Sequence, residues 1–294
     1  MLIQNSQLNM QQLTALDNLT KQCKQHDKNL VAVYRHLLGK NRERPSNILF
    51  FEDQHEKKLI GFLGAFFFQE NTCEIALMVA PDYRRQGIAT TLLNAILPLL
   101  DTEKISELIF TSPQGLQNKW FRALGLDYQN SEFQMRRDTQ DNLVTSAISS
   151  QIHVAKEIDI PDLCHIDGEC FNNQRPNSAS HFHTLLHDAN LRIYIISHAG
   201  KPVGKAHIHW QFESVRMSDI AILPSIQGQG LGTALLEYCI NEIRLRNKKN
   251  IILDVETQNQ HALNLYTRLD FKIDNAHDYW RIDKFGLTAF LTSL

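Results

Sequence analysis

One glycine turn occurs twice in this chain at a fixed interval, and that repetition constrains the fold more than any other feature. The first copy lies in ALMVAPDYRRQGIATTLLNAIL and the second in DIAILPSIQGQGLGTALLEYCI. In each, a short apolar run ends at a proline, Pro81 or Pro224. Three residues later Arg84 or Gln227 opens a turn of the form R/Q-x-x-G-x-G/A, and an amphipathic helix follows at once. The register extends beyond the turn: Gly61 and Gly204, Pro81 and Pro224, Gly87 and Gly230, and Leu92 and Leu235 are all 143 apart (204 − 61 = 143). A period this long marks a duplicated domain rather than a solenoid unit. The length of 294 residues agrees with two domains. The repeat places them at 1–138 and 151–294, joined by the small and polar segment TQDNLVTSAISS at 139–150.

Composition narrows the class. The chain is 43% apolar and 21% charged, with a net charge of −2, so no global field favours nucleic acid or an anionic membrane. Five cysteines, none in a C-x-x-C pair, fit a reduced cytoplasm. The first residues lack the basic and apolar regions of a signal peptide. The longest apolar run, Leu59 to Phe68, is about half a membrane span and reads as a buried strand.

Periodicity gives a mixed α/β order in both halves. In the second, QIHVAKEID, LRIYIIS, PVGKAHIHWQF, VRMSDIAIL and NIILDVET read as strands. Helices are expected from Pro161, over HFHTLLHDA, from Gly230 to Arg246, and over NQHALNLYTRL. A loop is expected at 172–180, and DFKIDNAHDYWRID reads as two closing strands. The first half repeats the plan with strands ILFFED, KKLIGFLGAFFF, CEIALMVA, ELIFTS and QNSEFQMRR, and helices at Gln86–Leu100 and GLQNKWFRAL.

A strand that ends in a glycine turn and feeds a helix presents several backbone N–H groups at one point. Together with the helix dipole they bind an anion such as a phosphate. Glycine at 87, 228, 230 and 232, and the small Ala89, let a ligand approach the backbone. A Walker A loop is excluded because neither turn holds a lysine. A dinucleotide fingerprint is excluded because GQGLGT lacks the last glycine and hairpins precede the turn.

The turns RRQGIA (Arg84, Arg85, Gln86, Gly87, Ala89) and QGQGLG (Gln227, Gly228, Gln229, Gly230, Gly232) resemble the acetyl-CoA loop of the GNAT family of N-acetyltransferases. The tandem arrangement is similar to that of mycothiol-synthase-like proteins, with a degenerate first half. The resemblance implies two tandem GNAT-like α/β domains, each a mixed, mostly antiparallel sheet flanked by helices. It implies transfer of acetyl from acetyl-CoA to an amine by direct attack, with no metal. It also implies that backbone N–H groups at Ile222 and Leu223, and at Val79 and Ala80, polarise the thioester.

In LDVETQNQHALNLYTRLDF the same resemblance makes Asn259 a cofactor contact and Tyr266 the general acid. A phenol can protonate a leaving thiolate. Asp254 stands where one branch of the family has a glutamate base. Burial in an apolar strand would raise its pKa. Asp219, Glu256 and His209 are alternatives for that role. Asp270 replaces the usual glycine before Phe271. In the first half Phe121 aligns with Tyr266, so that half keeps a cofactor loop, with two arginines for phosphates, but lacks the acid. A CoA-binding protein without turnover is the competing reading. His183 with His187, and His207 with His209, have spacings that suit metal ligands, but no acid or cysteine nearby in sequence completes either set. Trp120 and Phe121 read as core, and the tail FGLTAFLTSL as packing on a domain or partner. The expected partner is a small-molecule or peptide amine bound around residues 164–187, with no nucleic acid, no membrane and a monomeric fused pair.

Overall fold

The computed structural model describes residues 1–53, 58–116, 118–139, 151–171, 178–211 and 214–292. From the N-terminus these form β1 (Leu2–Asn5), α1 (Met10–Asp27), α2 (Arg35–Leu38), β2 (Asn47–Phe51), β3 (Leu59–Gln69), β4 (Thr72–Val79), α3 (Ile88–Thr102), β5 (Glu107–Pro113), α4 (Asn118–Ala123) and β6 (Asp127–Asp138). There follow β7 (Ile152–Val154), α5 (Ile160–Cys170), α6 (Ser178–Leu186), β8 (Leu191–His198), β9 (Lys201–Trp210), β10 (Ser214–Ile222), α7 (Leu231–Leu245), β11 (Asn250–Glu256), α8 (Gln260–Arg268), β12 (Lys272–Asp283) and α9 (Lys284–Thr292).

The chain forms two compact units, and both are discontinuous in sequence. The first comprises Met1–Phe133, Glu256–Gln258 and Asn275–Leu294; the second comprises Gln134–Val255 and Asn259–Asp274. The first unit therefore closes with a strand from the far end of the chain. Its strands run β1-β2-β3-β4-β5-β12, all antiparallel neighbours except the parallel pair β4/β5. The linker expected at 139–150 lies, from residue 140, outside the described residues.

The sheet of the first unit packs on α1 and α3. α1 is set by an Asn9–Gln12 capping box and buries Leu13, Leu16, Leu19 and Cys23. That spacing of three and four is one helix face. The apolar run Leu59–Phe68 is β3, with its first eight residues buried, as a strand covered on both faces should be. Trp280 and Ile282 of β12 and Leu287 and Leu291 of α9 belong to this same core, so the apolar tail packs on the first unit.

In the second unit the order β11-β10-β9-β8-β7 repeats the scheme, with β10/β11 the parallel pair. β6 lies beside β11, where Arg136 Nε donates to Asn250 Oδ1 at 2.9 Å. α7 buries Leu231, Leu235, Leu236, Cys239, Ile240 and Ile243, the face its periodicity predicts. The segment expected to close as two strands is one, β12. Its residues His277–Asp283 pair without interruption with Pro113–Glu107 of β5. Polar Asn275, His277 and Asp278 are buried there, and they interrupt the apolar pattern in mid-strand. Among the described residues no helix is long and apolar enough to cross a membrane.

Candidate active site

The two glycine turns have the same backbone. After β4 and β10 the chain makes a short 3-10 turn at Pro81–Tyr83 and Pro224–Ile226. Arg84 and Gln227 are then extended, with φ −70° and −61°. Arg85 and Gly228 turn left-handed at φ 59° and 79°, and Gly87 and Gly230 do so again, both at φ 80°. A side chain at Gly87 or Gly230 would be strained by backbone conformation alone, because no atom of the described residues lies within 4 Å of a Cβ placed there. Neither glycine caps its helix with a side chain. The first N–H groups of α3 and α7 are thus left without a side-chain cap, the state in which a helix N-terminus can take an anion such as a phosphate.

Each turn is tied back to the strand before it. Arg84 Nε donates to the Val79 carbonyl at 3.1 Å, and Gln227 Nε2 donates to the Ile222 carbonyl at 2.9 Å. This is why the motif tolerates either Arg or Gln at its first position: both offer an N–H at similar reach. Cys23 Sγ and Cys170 Sγ lie at 3.7 and 3.5 Å from the same two carbonyls.

Arg84 does not extend toward a phosphate, as expected from sequence. Its guanidinium grips Asp27 at the end of α1 in a bidentate pair of 2.9 and 2.6 Å. Asp27 is almost fully buried. Burial pushes its carboxyl up, but hydrogen bonds from Arg84 and His26 outweigh that and hold it below the usual range. Arg85 is exposed and faces the cavity beside the turn, so it is the arginine placed for an anion.

The cleft opens where the parallel strands part. The last paired residues are Ala76 with Thr111 on β4/β5, and Arg216 with Ile252 on β10/β11. β10 bulges just beyond, between Ser218 and Ala221, with Asp219 left-handed at φ 49°. Past these points the strand-end N–H groups alternate in direction. Leu223 N–H donates to Val203 O at 2.9 Å, and Ala80 N–H to Ile60 O at 2.8 Å. Both are committed to the neighbouring antiparallel strand, so the expected use of Leu223 and Ala80 on a thioester carbonyl is corrected. Ile222 and Val79 face the opposite, opened edge.

A cavity of about 400 Å³ lies against the first turn. Its walls include Val79, Arg85, Gly87, Ala89, Ser112, Trp120 and Phe121. Phe121 is buried, as expected of a core residue, whereas Trp120, expected in the core too, is exposed on the wall. Among the described residues none hydrogen-bonds the buried Ser112 Oγ, so it can take a partner from a ligand. Nothing in the strand ELIFTS singled it out.

The alignment of Phe121 with Tyr266 holds in detail. Leu126 N–H donates to Phe121 O at 2.9 Å, and Phe271 N–H to Tyr266 O at 3.0 Å. Gly125 and Asp270 occupy the same left-handed position, at φ 79° and 63°. α8, which carries Tyr266, sits against the second turn. A Cβ on Gly232 would lie 3.6 Å from both Ile222 and Leu265. Tyr266 is buried beside Phe271, and burial pushes its phenol up to about 12. Asn259 caps α8, its side chain accepting from Ala262 N–H at 3.1 Å.

Asp254 is not buried. It is exposed on β11, ion-paired with Arg216 and 3.4 Å from Gln134 Nε2. The alternation of β11 turns Leu253 and Val255 inward and Asp254 and Glu256 outward.

A polar network instead occupies β9 and the β10 bulge. Lys205, fully buried, pairs with Asp167 at 2.7 Å and donates to His207 Nε2 at 3.2 Å. His207 Nδ1 lies 3.5 Å from Asp219 Oδ2. Ser218 Oγ donates to Asp219 at 2.7 Å and is 2.9 Å from His209 Nε2. Since the Ser218 proton is given to Asp219, His209 donates from Nε2 and keeps its lone pair on Nδ1. Burial lowers the pKa of both histidines, and Lys205 lowers that of His207 further. Both are therefore neutral near pH 7.

Two strand–glycine-turn–helix units of this kind define a mixed α/β fold, and comparison with known proteins identifies the class. The acetyltransferase (GNAT) family matches residues 12–123 and 160–271, so the chain belongs to that family twice over. A 72-residue stretch is 36% identical to the ribosomal protein bS18-alanine N-acetyltransferase of Escherichia coli K12, covering 24% of this chain and 49% of that enzyme. The chain thus matches about half the length of such curated relatives. Over 96% of its length it shares the fold of a GCN5-related N-acetyltransferase from Sphaerobacter thermophilus, at TM-score 0.71, 12% identity and 95% coverage of that chain. It shares the fold of a tandem GNAT protein from the clavulanic acid biosynthesis pathway likewise, at TM-score 0.67, 14% identity and 98% coverage.

Proposed function

We propose that this protein is an acetyl-CoA-dependent N-acetyltransferase whose chemistry occurs in the second unit. The observation that carries the reading is that Tyr266 lies on α8, the helix whose Leu265 comes within van der Waals reach of Gly232 at the start of α7. Acetyl-CoA, when bound, supplies the activated acetyl group. The α7 N-terminus and the Gln229–Gly230 backbone hold its phosphates, and Ile222 N–H hydrogen-bonds the acyl carbonyl.

The attacking amine must be neutral. His209 Nδ1, neutral and oriented through Ser218 by Asp219, takes its proton. This is one of the alternatives to Asp254, whose carboxylate is occupied by Arg216. Tyr266 keeps its own proton at neutral pH and gives it to the departing sulfur. The acceptor is a small-molecule or peptide amine. The bS18-alanine relative makes a peptide with an N-terminal alanine one probe to include.

A second reading is favoured for the first unit by its cavity and by Phe121 in place of the tyrosine. That unit binds a CoA-type ligand through Arg85, Gly87 and Ala89 and does not turn it over.

The test is release of free thiol from acetyl-CoA across an amine panel, with Tyr266→Phe alongside. Loss of the acid should lower kcat by about 10²-fold or more while leaving the KM for acetyl-CoA nearly unchanged. Activity of Tyr266→Phe equal to the parent would remove Tyr266 from the mechanism. No turnover on any amine, with acetyl-CoA bound, would favour the binding reading for both units.

A further inference from the structure

Glu157, His183 and His187 form a cluster remote in sequence from the glycine turns. Glu157 opens a 3-10 turn just before α5, His183 lies in the last turns of α6, and His187 follows its end. The sequence offered only the histidine pair at i, i+4; the fold supplies the acid. Glu157 Oε1 lies 3.3 Å from His183 Nε2 and 3.5 Å from His187 Nε2. The two rings stack at 4.5 Å between centroids. All three candidate ligand atoms lie within 4.8 Å of one another.

Two features separate this cluster from a chance surface grouping. The first is spacing. Donors bound at ~2.0–2.1 Å to a tetrahedral ion stand about 3.3–3.4 Å apart, and the two Glu–His separations are 3.3 and 3.5 Å. The second is the tautomer. His187 Nδ1 is 2.8 Å from the carbonyl of His183. A carbonyl can only accept, so Nδ1 carries the proton. In the neutral ring Nε2 is then a lone pair pointing at a carboxylate oxygen. Two acceptors in that relation need a cation between them, either a proton on the ring or a metal ion. The Nδ1–H bond to a backbone carbonyl is also the outer contact that orients metal-ligating histidines.

We infer that Glu157, His183 and His187 bind a divalent transition ion of the zinc type, with a fourth position open to water or another ligand. The N₂O donor set suits zinc among the common biological cations. The other histidine set, His207 with His209 and Asp219, is disfavoured because the Lys205 ammonium sits 3.2 Å from His207 Nε2 and opposes a cation. The bound ion would fasten the turn before α5 to the end of α6. It takes no part in acetyl transfer.

The experiment uses the untagged full chain, stripped with chelator, titrated calorimetrically with zinc chloride and, separately, with cobalt(II) followed by visible absorption. One ion per chain should bind, cobalt should give the intense bands of a tetrahedral site, and zinc should raise the melting temperature. Glu157→Gln, His183→Ala and His187→Ala should each weaken binding by at least about tenfold, since losing even an outer contact that orients a metal ligand costs about that much. The three side chains are exposed, so the variants should melt like the parent without metal. His209→Gln should bind zinc as the parent does. Absence of stoichiometric binding, binding unchanged in the Glu157 and His183 variants, or binding lost in His209→Gln would each overturn the assignment.

Discussion

Gly61 and Gly204 occupy the same place in the two repeats, yet the structure predicts unequal costs for an alanine at each. At Gly204 a Cβ would overlap Ile222 Cδ1, stand 2.7 Å from the backbone oxygen of Ala221 and lie 3.0 Å from Ile196 Cγ2. A side-chain end can swing away; a carbonyl held in the β9/β10 ladder cannot. At Gly61 the closest atoms are all side-chain atoms: Ile88 Cγ2 at 2.7 Å, Leu92 Cδ1 at 3.1 Å and Phe50 Cβ at 3.2 Å. Overpacking of this kind costs about 1–3 kcal/mol, offset by roughly 0.5–1 kcal/mol from the stiffer unfolded chain. Gly204→Ala should therefore cost about 1.5–2.5 kcal/mol net and Gly61→Ala about 1 kcal/mol or less. For a unit of this size that is a fall in Tm of about 5–10 °C against about 3 °C or less. Thermal unfolding followed by near-UV circular dichroism reads the difference. Gly204→Ala should also loosen the second glycine turn, since Gln227 hangs from the carbonyl of the displaced Ile222. Equal losses, or a larger loss for Gly61→Ala, would refute the argument from backbone contact.

Three other outcomes follow from single interactions. Asp27→Asn leaves the Arg84 guanidinium, about a quarter exposed, without its counter-charge. Denaturant unfolding should show a loss of about 2–3 kcal/mol, below the 3–5 kcal/mol of a fully buried pair, and a loss under about 1 kcal/mol would contradict the pairing. Asp270→Gly relieves a left-handed φ of 63° and should raise stability by about 0.5–1 kcal/mol, with a lowered Tm the contrary result. His207 and His209 both titrate lower in the folded chain, so the unfolded chain binds more protons below its ordinary histidine value of about 6.5. Stability should fall as pH drops from about 6.5, by up to about 1.4 kcal/mol per unit for each histidine, and the slope should shrink in His209→Gln; a flat profile between pH 5 and 6.5 would oppose it.

The glycine turns were legible because their chemistry is local. Positive φ at Gly87, Gly228 and Gly230, the proline before them and the apolar face of α7 all lie within a few residues of one another. Features built by distant residues were not. α1 is mostly polar, and its buried stripe of Leu13, Leu16, Leu19 and Cys23 is thin enough to pass for loop. The pairing of Arg84 with Asp27 joins residues on different elements, so a motif arginine read as a phosphate ligand is in fact a clamp. The apolar run around Asp254 suggests burial, yet the alternation Leu253, Asp254, Val255, Glu256 places it on the outer face. Glu157 meets His183 and His187 only because the turn before α5 comes against the end of α6. Most of the closing strand β12, from Asn275 on, lies in the first unit, which no repeat-based division of the sequence would place there.

Calorimetric titration of acetyl-CoA into the parent protein and into Gly87→Glu and Gly230→Glu tests the central claim most directly. A glutamate at either left-handed position sets an anion where the phosphates would lie and strains the turn. The account predicts two sites in the parent, one in each variant, and loss of acetyl transfer only in Gly230→Glu. An absence of acetyl-CoA binding in the parent, or full transfer activity in Gly230→Glu, would contradict it.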